Sequence, residues 1–434
     1  MNYTINACRL SGKVTAIPSK SHLHRQLIAA ALYGTDTEIR AGAAASEDIA
    51  ATENCLAALG AQILRSESDR IHVRAIRERR REEGVRRLFC KESGSTLRFL
   101  LPVVCALGLP AEFYPEGRLP DRPLSPLREE LIRHGCRISE PGSVPLCVGG
   151  ALSGGVFEIA GGVSSQYISG ILLALPLLEA ESTLRITGTL ESRPYVEMTL
   201  EVLAGFGISF TQDSSFSAFI KPRGVHRAQT VRCLQTEGDW SNAAFWLTAG
   251  AIGAEEVCVS GLSLTSKQGD KAILQLLKQF GASVKAAEAE NGLSAVTVSP
   301  SPLKGIEINA ADIPDLVPIL SLAAAAAEGT TVIRGAARLR LKESDRLQAV
   351  TDLLGTLGAD IRQTDDGLII NGTWKNGKAS LQGGTVSSCH DHRIAMTAAI
   401  AAAISDGPVT ILGAEAVNKS YPTFWQDFEK LNGK

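Results

Sequence analysis

Residues Ser19–Gly42 read SKSHLHRQLIAAALYGTDTEIRAG: a polar, cationic opening, an apolar helix, a polar turn, a short strand and a glycine. The same plan returns as ESGSTLRFLLPVVCALGLPAEFYPEG from Glu92, SSQYISGILLALPLLEAESTLRITG from Ser164 and DWSNAAFWLTAGAIGAEEVCVSG from Asp239, then again from Asp312 and from His390. The closing glycines are Gly42, Gly117, Gly188, Gly261, Gly335 and Gly413, between 71 and 78 residues apart. In phase with them runs a second helix in each copy, ending in a glycine turn into a β-rich run: Gly60, Gly135, Gly207, Gly281, Gly358 and Gly433. A helix that stops and turns into a strand needs a residue tolerant of left-handed backbone, and glycine adopts it without a Cβ clash. Two matched series predict six α/β modules packed as globular domains, since the period exceeds that of helical solenoids.

At 434 residues, six modules divide most simply into two groups of three. Hydrophobic content of 44% with 5% aromatic predicts cores of Ala, Leu, Ile and Val, suited to closely packed helices. A net charge of −2 gives no global field for nucleic acid or an anionic membrane, so anionic ligands need local cation clusters. Nine cysteines, odd in number and without a CxxC pair, point to reduced thiols. With no signal segment and no apolar run of about 18 residues, a cytoplasmic protein is expected.

Residues 2 to 18 read as a strand with polar turns, and the sixth module stops at Gly433, where every other copy continues into a strand. The N-terminal strand is therefore expected to complete the sixth module. This gives one domain of 1–18 plus 237–434 and another of 19–236, with two crossings near Pro18 and Thr236 that make a hinge. The run RAIRERRREEGVRR from Arg74 reads as a solvated face, since it lacks aromatics to stack bases.

The module openings carry more chemistry. A helix N-terminus presents unpaired N–H groups and partial positive charge, which suits phosphate or carboxylate. Ser19, Lys20, Ser21 and Arg25 open the first module, Ser93, Gly94, Ser95, Thr96 and Arg98 the second, and Ser164, Ser165 and Gln166 the third. Any one of these reads equally as an N-cap. Further charged stretches surround Arg122, Ser192 and Tyr195, Lys342, Arg393 and Lys419. His390, Asp391 and His392 suggest a metal, but i,i+2 spacing at a helix start points the imidazoles apart, so no metal site is expected. The chain has no GxxxxGK[ST], no GxGxxG after a strand and no GxSxG. Its chemistry must use Lys, Arg, Asp, Glu and Ser, with no cofactor expected.

The motifs PSKSHLHR, SGSTLR, DRPLSPL, VSSQY, SRPY, DIPDLVP, LKESDRL, DHRIAM and NKSYP resemble, in order and spacing over essentially the full chain, the 3-phosphoshikimate 1-carboxyvinyltransferase (5-enolpyruvylshikimate-3-phosphate synthase) family of enolpyruvyl transferases. The resemblance implies an α/β fold of two similar domains, each of three βαβαββ units forming an inside-out barrel, joined by a two-stranded hinge that closes on substrate. It implies transfer of the enolpyruvyl group from phosphoenolpyruvate to the 5-hydroxyl of shikimate 3-phosphate, on the route to chorismate and aromatic amino acids. No nucleic acid, membrane or cofactor partner is implied, and a monomer is expected.

By motif, Ser21, Arg25, Ser164, Ser165, Gln166 and Ser192 would hold the shikimate phosphate, with Tyr195 nearby. Lys20, Gly94, Arg122, Gln166, Arg346, Arg393 and Lys419 would hold phosphoenolpyruvate, Lys20 also facing shikimate 3-phosphate. Asp315 would be the base for the 5-hydroxyl, Lys342 would keep it ionised and steady the alkoxide, both touching shikimate 3-phosphate, and Glu343 would protonate the methylene carbon. The chain departs from the family pattern at Glu92, Arg338 and His390, where the family often has Asn. The rival readings are the related transferase acting on UDP-N-acetylglucosamine, opposed by the Ser164–Gln166 triplet and the Lys342, Glu343 pair, and a non-catalytic copy that only binds.

Overall fold

All twelve glycines of the two series have left-handed backbone, with φ from 57° to 106°. At Gly281 the turn is visible in its bonds: the helix Ile273–Phe280 ends as the Gly281 N–H returns to the carbonyls of Leu277 and Lys278. A side chain at such a position would press its Cβ on the following carbonyl, so the spacing of these glycines records where helices hand over to strands.

The computed structural model describes the chain except residues 7, 43–44, 67–68, 77–83, 227–229, 231–232, 289–291, 376 and 434. Half of the arginine-rich run from Arg74, residues 77–83, therefore lies outside the described residues. The chain folds into two compact units, Met1–Ser19 with Glu237–Lys434, and Lys20–Thr236.

Within the Lys20–Thr236 unit, the third module shows the common plan. Strand Val156–Ala160 runs parallel to Ser182–Thr187, which pairs antiparallel with Ala218–Lys221, and Thr211–Gln212 closes the edge. One helix, Ser165–Ala174, joins the parallel strands, and a second, Arg193–Gly205, leads to the hairpin. This is βαβαββ. The second module repeats it whole, while the first takes its parallel edge strand, Cys233–Gln235, from the far end of the unit, against Asp36–Arg40.

In the other unit the fifth module is likewise complete. The expectation of a single N-terminal strand is corrected: residues 2–15 form two. Asn2–Ile5 pairs antiparallel with Val409–Leu412 in the sixth module, and Gly12–Thr15 runs parallel to Val257–Leu262 in the fourth. The sixth sheet remains three-stranded among the described residues. Where the crossing segments meet this unit, Ser19 N–H donates to the Glu237 carbonyl and Asp239 N–H to that of Ile17, both at 2.8 Å.

The first helix of each module forms the core. Trp240–Ile252, Val317–Ala325 and His392–Ala401 are buried along their whole length and pack on one another. Small residues permit this; in the other unit a Cβ on Gly170 would stand 2.3 Å from the Arg98 carbonyl, so helices Ser165–Ala174 and Gly94–Leu107 touch backbone to backbone. The second helices are amphipathic: Ile273–Phe280 buries Ile273, Leu276, Leu277 and Phe280, one stripe at spacings of three and four. Ser93, Ser164, Asp239, Asp345 and Asp391 each accept a backbone N–H from the first turn they precede. The openings of the second, third, fourth and sixth modules are thus N-caps, and the charged side chains beside them are held at helix starts.

Candidate active site

Two clusters of charged side chains are built at these helix starts, one in each unit. In Lys20–Thr236, Arg25 is buried on the first helix. Its Nε donates to Thr199 Oγ1 at 2.7 Å, Nη1 to the Ser21 carbonyl at 2.7 Å, and Nη2 to Ser169 Oγ at 3.2 Å and the Tyr195 carbonyl at 3.0 Å. Phe99 lies under the guanidinium at 4.9 Å. Burial, partly opposed by Tyr195, lowers its pKa to about 10. Arg25 therefore ties the Ser21 turn to the Ser192–Tyr195 turn and leaves one Nη1 hydrogen beside Ser21. Ser192, itself buried, has left-handed backbone with φ 54°.

Lys20 forms an ion pair with Asp48 at 2.7 Å. Behind it a chain of hydroxyls runs from His24 Nδ1 to Thr52 at 2.8 Å, Thr52 to Thr96 at 2.6 Å and Thr96 to the cap Ser93 at 2.7 Å. Burial holds the His24 imidazole well below its usual range and, with Arg25, lowers His22 to about 4, so both are neutral. This chain fixes the start of the helix that carries Gly94. A Cβ on Gly94 would stand 3.0 Å from Arg98 Nη1 and 3.1 Å from Arg122 Nη1. Two guanidinium groups thus close over the glycine.

Gln166 joins modules two and three, accepting from Arg98 Nη1 at 2.8 Å and donating to Ser95 Oγ at 2.9 Å. Its main-chain N–H donates to the cap Ser164, and Ser165 is buried in the same turn. Arg98 and the Tyr167 hydroxyl both donate to the Pro123 carbonyl, which anchors the loop bearing Arg122. The Glu92 carboxyl carbon lies 2.5 Å from where a Cβ on Gly117 would be.

In the unit Met1–Ser19 with Glu237–Lys434, Asp315 accepts from Arg346 Nη1 at 2.8 Å and pairs with Arg393 Nη2 at 3.0 Å. Burial pushes the Asp315 carboxyl up, but Arg393, Lys342 and Arg346 together outweigh it and hold the group well below the usual carboxylate range. Arg346 is almost wholly buried and also binds Glu343 Oε2 at 2.9 Å and Asp391 Oδ2, through Nε, at 2.7 Å. Despite burial, these three carboxylates raise its pKa further, so it is permanently charged.

Asp391 caps helix His392–Ala401, and the residues before it, Cys389 and His390, have left-handed backbone with φ 50° and 54°. That turn aims the His390 carbonyl at Lys419, whose Nζ donates to it at 2.8 Å. Arg338 donates to the Ala311 carbonyl at 2.6 Å. Further back, Asp270 is fully buried and bonded to Ser241. Burial and the neighbouring Asp315 push its pKa up to about 7.

Of the residues singled out for binding or catalysis, Lys20, Ser21, Arg25, Gly94, Arg122, Ser164, Ser165, Gln166, Ser192 and Tyr195 lie in the Lys20–Thr236 unit, and Asp315, Lys342, Glu343, Arg346, Arg393 and Lys419 in the other. Asp391, Ser344, Asp48, Thr199 and Asp270 were missed as site members. Asp391 entered the sequence reading only within the His390–His392 metal triplet, and an Asp immediately before an apolar helix otherwise reads as a cap. Among the described residues no group of three or more His, Cys, Asp or Glu is placed to hold a metal, and no helix is long and apolar enough to cross a membrane. A cluster in which an ionised carboxylate sits among Arg, Lys and Glu can take a proton from a hydroxyl and hold an anionic second reactant.

The family model for EPSP synthase (3-phosphoshikimate 1-carboxyvinyltransferase) matches residues 6–428. The chain is 40% identical over 435 residues to the 3-phosphoshikimate 1-carboxyvinyltransferase of Clostridium kluyveri, covering 99% of this chain and 97% of the relative. It is 41% identical over 431 residues to that of Clostridium acetobutylicum, with 99% and 97% covered. An EPSP synthase structure from Acinetobacter baumannii superposes with a TM-score of 0.81 at 28% identity, over 99% of this chain and 98% of that one. The enolpyruvyl transferase NikO from Streptomyces tendae shares the fold, with a TM-score of 0.77 at 20% identity, over 99% and 96%. With modules, helix starts and motifs in agreement over its whole length, the chain belongs to the EPSP synthase (3-phosphoshikimate 1-carboxyvinyltransferase) family.

Proposed function

We propose that this chain transfers the enolpyruvyl group of phosphoenolpyruvate to the 5-hydroxyl of shikimate 3-phosphate and releases phosphate. The observation that carries the reading is Asp315, a carboxylate kept ionised by Arg393, Lys342 and Arg346 with Glu343 on the same arginine. Asp315 takes the 5-hydroxyl proton as the oxygen adds to C2 of phosphoenolpyruvate, while Glu343 delivers a proton to C3. The product of this step is a tetrahedral phosphate ester. Glu343, ionised by that transfer, then takes a C3 proton back as the C2–O bond to phosphate breaks, the enol ether forms and the proton held by Asp315 leaves with the phosphate, so atoms and charge balance with no cofactor.

Lys20, Ser21, Arg25, Ser164, Ser165, Gln166, Ser192 and Tyr195 are assigned to shikimate 3-phosphate. Gly94, Arg122, Gln166, Arg346, Arg393 and Lys419 are assigned to phosphoenolpyruvate, with Lys20 shared. Two polyanions need cations that are themselves fixed, and the bonds at Arg25, Arg98 and Arg346 supply that fixing. One chain carries both clusters, so a monomer is taken to suffice.

Phosphate release by the purified chain tests the reading. Release with phosphoenolpyruvate and shikimate 3-phosphate, but not with UDP-N-acetylglucosamine as acceptor, is the expected result. Release with the sugar nucleotide alone, or with neither acceptor, overturns it.

A further inference from the structure

Asp391 is fully buried and is assigned no part in the reaction above. Its carboxylate nevertheless accepts four hydrogen bonds from three residues of the site. Oδ2 takes Arg346 Nε at 2.7 Å and Ser344 Oγ at 3.0 Å; Oδ1 takes Arg346 Nη2 at 3.3 Å and the Arg393 main-chain N–H at 2.9 Å.

The Arg346 bonds form a two-point fork along one edge of the guanidinium, the geometry in which carboxylate fixes both the position and the plane of an arginine. That leaves the opposite edge, Nη1 and the second hydrogen of Nη2, pointing at Asp315 and Glu343. A donor carboxylate gripped by Arg346 must approach this second edge, beside the two carboxylates assigned to proton transfer. The same Asp391 oxygen that binds Nη2 also caps the helix turn carrying Arg393. One buried carboxylate thus sets the aim of one donor arginine and the backbone of the other.

We propose that Asp391 is the positioning residue for phosphoenolpyruvate: it orients Arg346 and Arg393 without touching the substrate. The inference rests on the assignment of these arginines to the donor. It differs from a capping role, because a cap lost at this helix start would weaken folding without discriminating between the substrates.

Asp391→Asn keeps the shape and an oxygen for the cap but removes the charge and half of the fork. Its KM for phosphoenolpyruvate should rise about tenfold or more, while that for shikimate 3-phosphate stays within about twofold. Ser344→Ala, which removes a single bond to the same carboxylate, should raise the phosphoenolpyruvate KM about two- to fivefold. In an Arg346→Lys background, Asp391→Asn should add less than about twofold, since the two changes act through one contact.

A phosphoenolpyruvate KM unchanged in Asp391→Asn, equal changes in both substrates' KM, or a full additional effect in the Arg346→Lys background overturns the proposal. Should Asp391→Asn not fold, an unchanged KM in Ser344→Ala overturns it instead. Absence of wild-type turnover in the same assay overturns the functional reading on which all of this rests. Normal wild-type turnover with unchanged ratios overturns Asp391 alone.

Discussion

Arg393 grips Asp315 at two levels, with Nη2 3.0 Å from the carboxylate and Nη1 donating at 3.1 Å to the main-chain carbonyl of the same residue. The carboxylate cannot turn away without breaking its ion pairs with both Arg393 and Arg346. Asp315→Asn should therefore keep the geometry and lose only the base, lowering kcat by about 10²–10⁴-fold with little change in phosphoenolpyruvate KM. Lys342→Met should behave similarly. Steady-state kinetics check both, and near wild-type turnover removes the residue from the mechanism.

The depressed pKa of Asp315 also has a sign for stability. Its ionised form is favoured in the folded state, so its contribution is complete above the unfolded value of about 4 and is lost as pH falls through the lower folded value. Acid unfolding below about pH 4 should be less steep in Asp315→Asn than in the wild type. Circular dichroism against pH decides this.

Asp270 runs the other way. Burial and the Asp315 charge raise its pKa to about 7, so the folded state holds a proton that the unfolded chain has already released above about pH 4. Stability should fall as pH rises from 4 to 7, and Asp270→Asn, which cannot ionise, should remove that loss. The variant should gain about 2–5 °C on the wild type at pH 8 relative to pH 5 in thermal unfolding. A parallel response of the two proteins would mean that Asp270 stays ionised.

Gly94→Ala places a methyl group against the ends of Arg98 and Arg122, which are side-chain termini and can yield by a few tenths of an ångström. The fold should be kept, with thermal unfolding within about 2 °C of wild type, while the phosphoenolpyruvate KM rises about tenfold. Arg122→Ala should raise the same KM. An unaltered KM in Gly94→Ala would detach this glycine from the donor site.

Ser192 offers a test that separates strain from binding. Its left-handed backbone costs a non-glycine residue about 1–2 kcal/mol, which Ser192→Gly relieves. The variant should be at least as stable as the wild type yet need more shikimate 3-phosphate. Equal stability with equal substrate requirement would confine Ser192 to a structural turn.

The parts of the fold legible in the sequence were those with a local chemical cause. Left-handed backbone demands glycine at Gly42 or Gly281 whatever lies elsewhere, so the six-fold plan showed at once. Helix caps such as Ser93 and Asp239 announce themselves in the same way. The division of residues 2–15 between two sheets was not legible, because Asn2–Ile5 is only four residues long and its partner begins at Val409. In the site, charged residues grouped at helix starts were visible through motifs. The network that aims them was not: Arg25 is oriented by Thr199 and Ser169, and Arg346 by Asp391, across separations that no local pattern encodes.

The two N-terminal strands also set an order of events during synthesis. Lys20–Thr236 is one continuous stretch and can fold once it has left the ribosome. Met1–Ser19 cannot. Several of its partners come far later in the chain: the Met1 ammonium meets Glu415 at 2.6 Å, Tyr3 stacks on Trp425 at 4.1 Å, and Ser11 N–H donates to the Leu431 carbonyl. Strand Asn2–Ile5 therefore stays unpaired until Val409–Leu412 has been made, and a truncation before Val409 should leave the Lys20–Thr236 unit folded beside an unfinished companion.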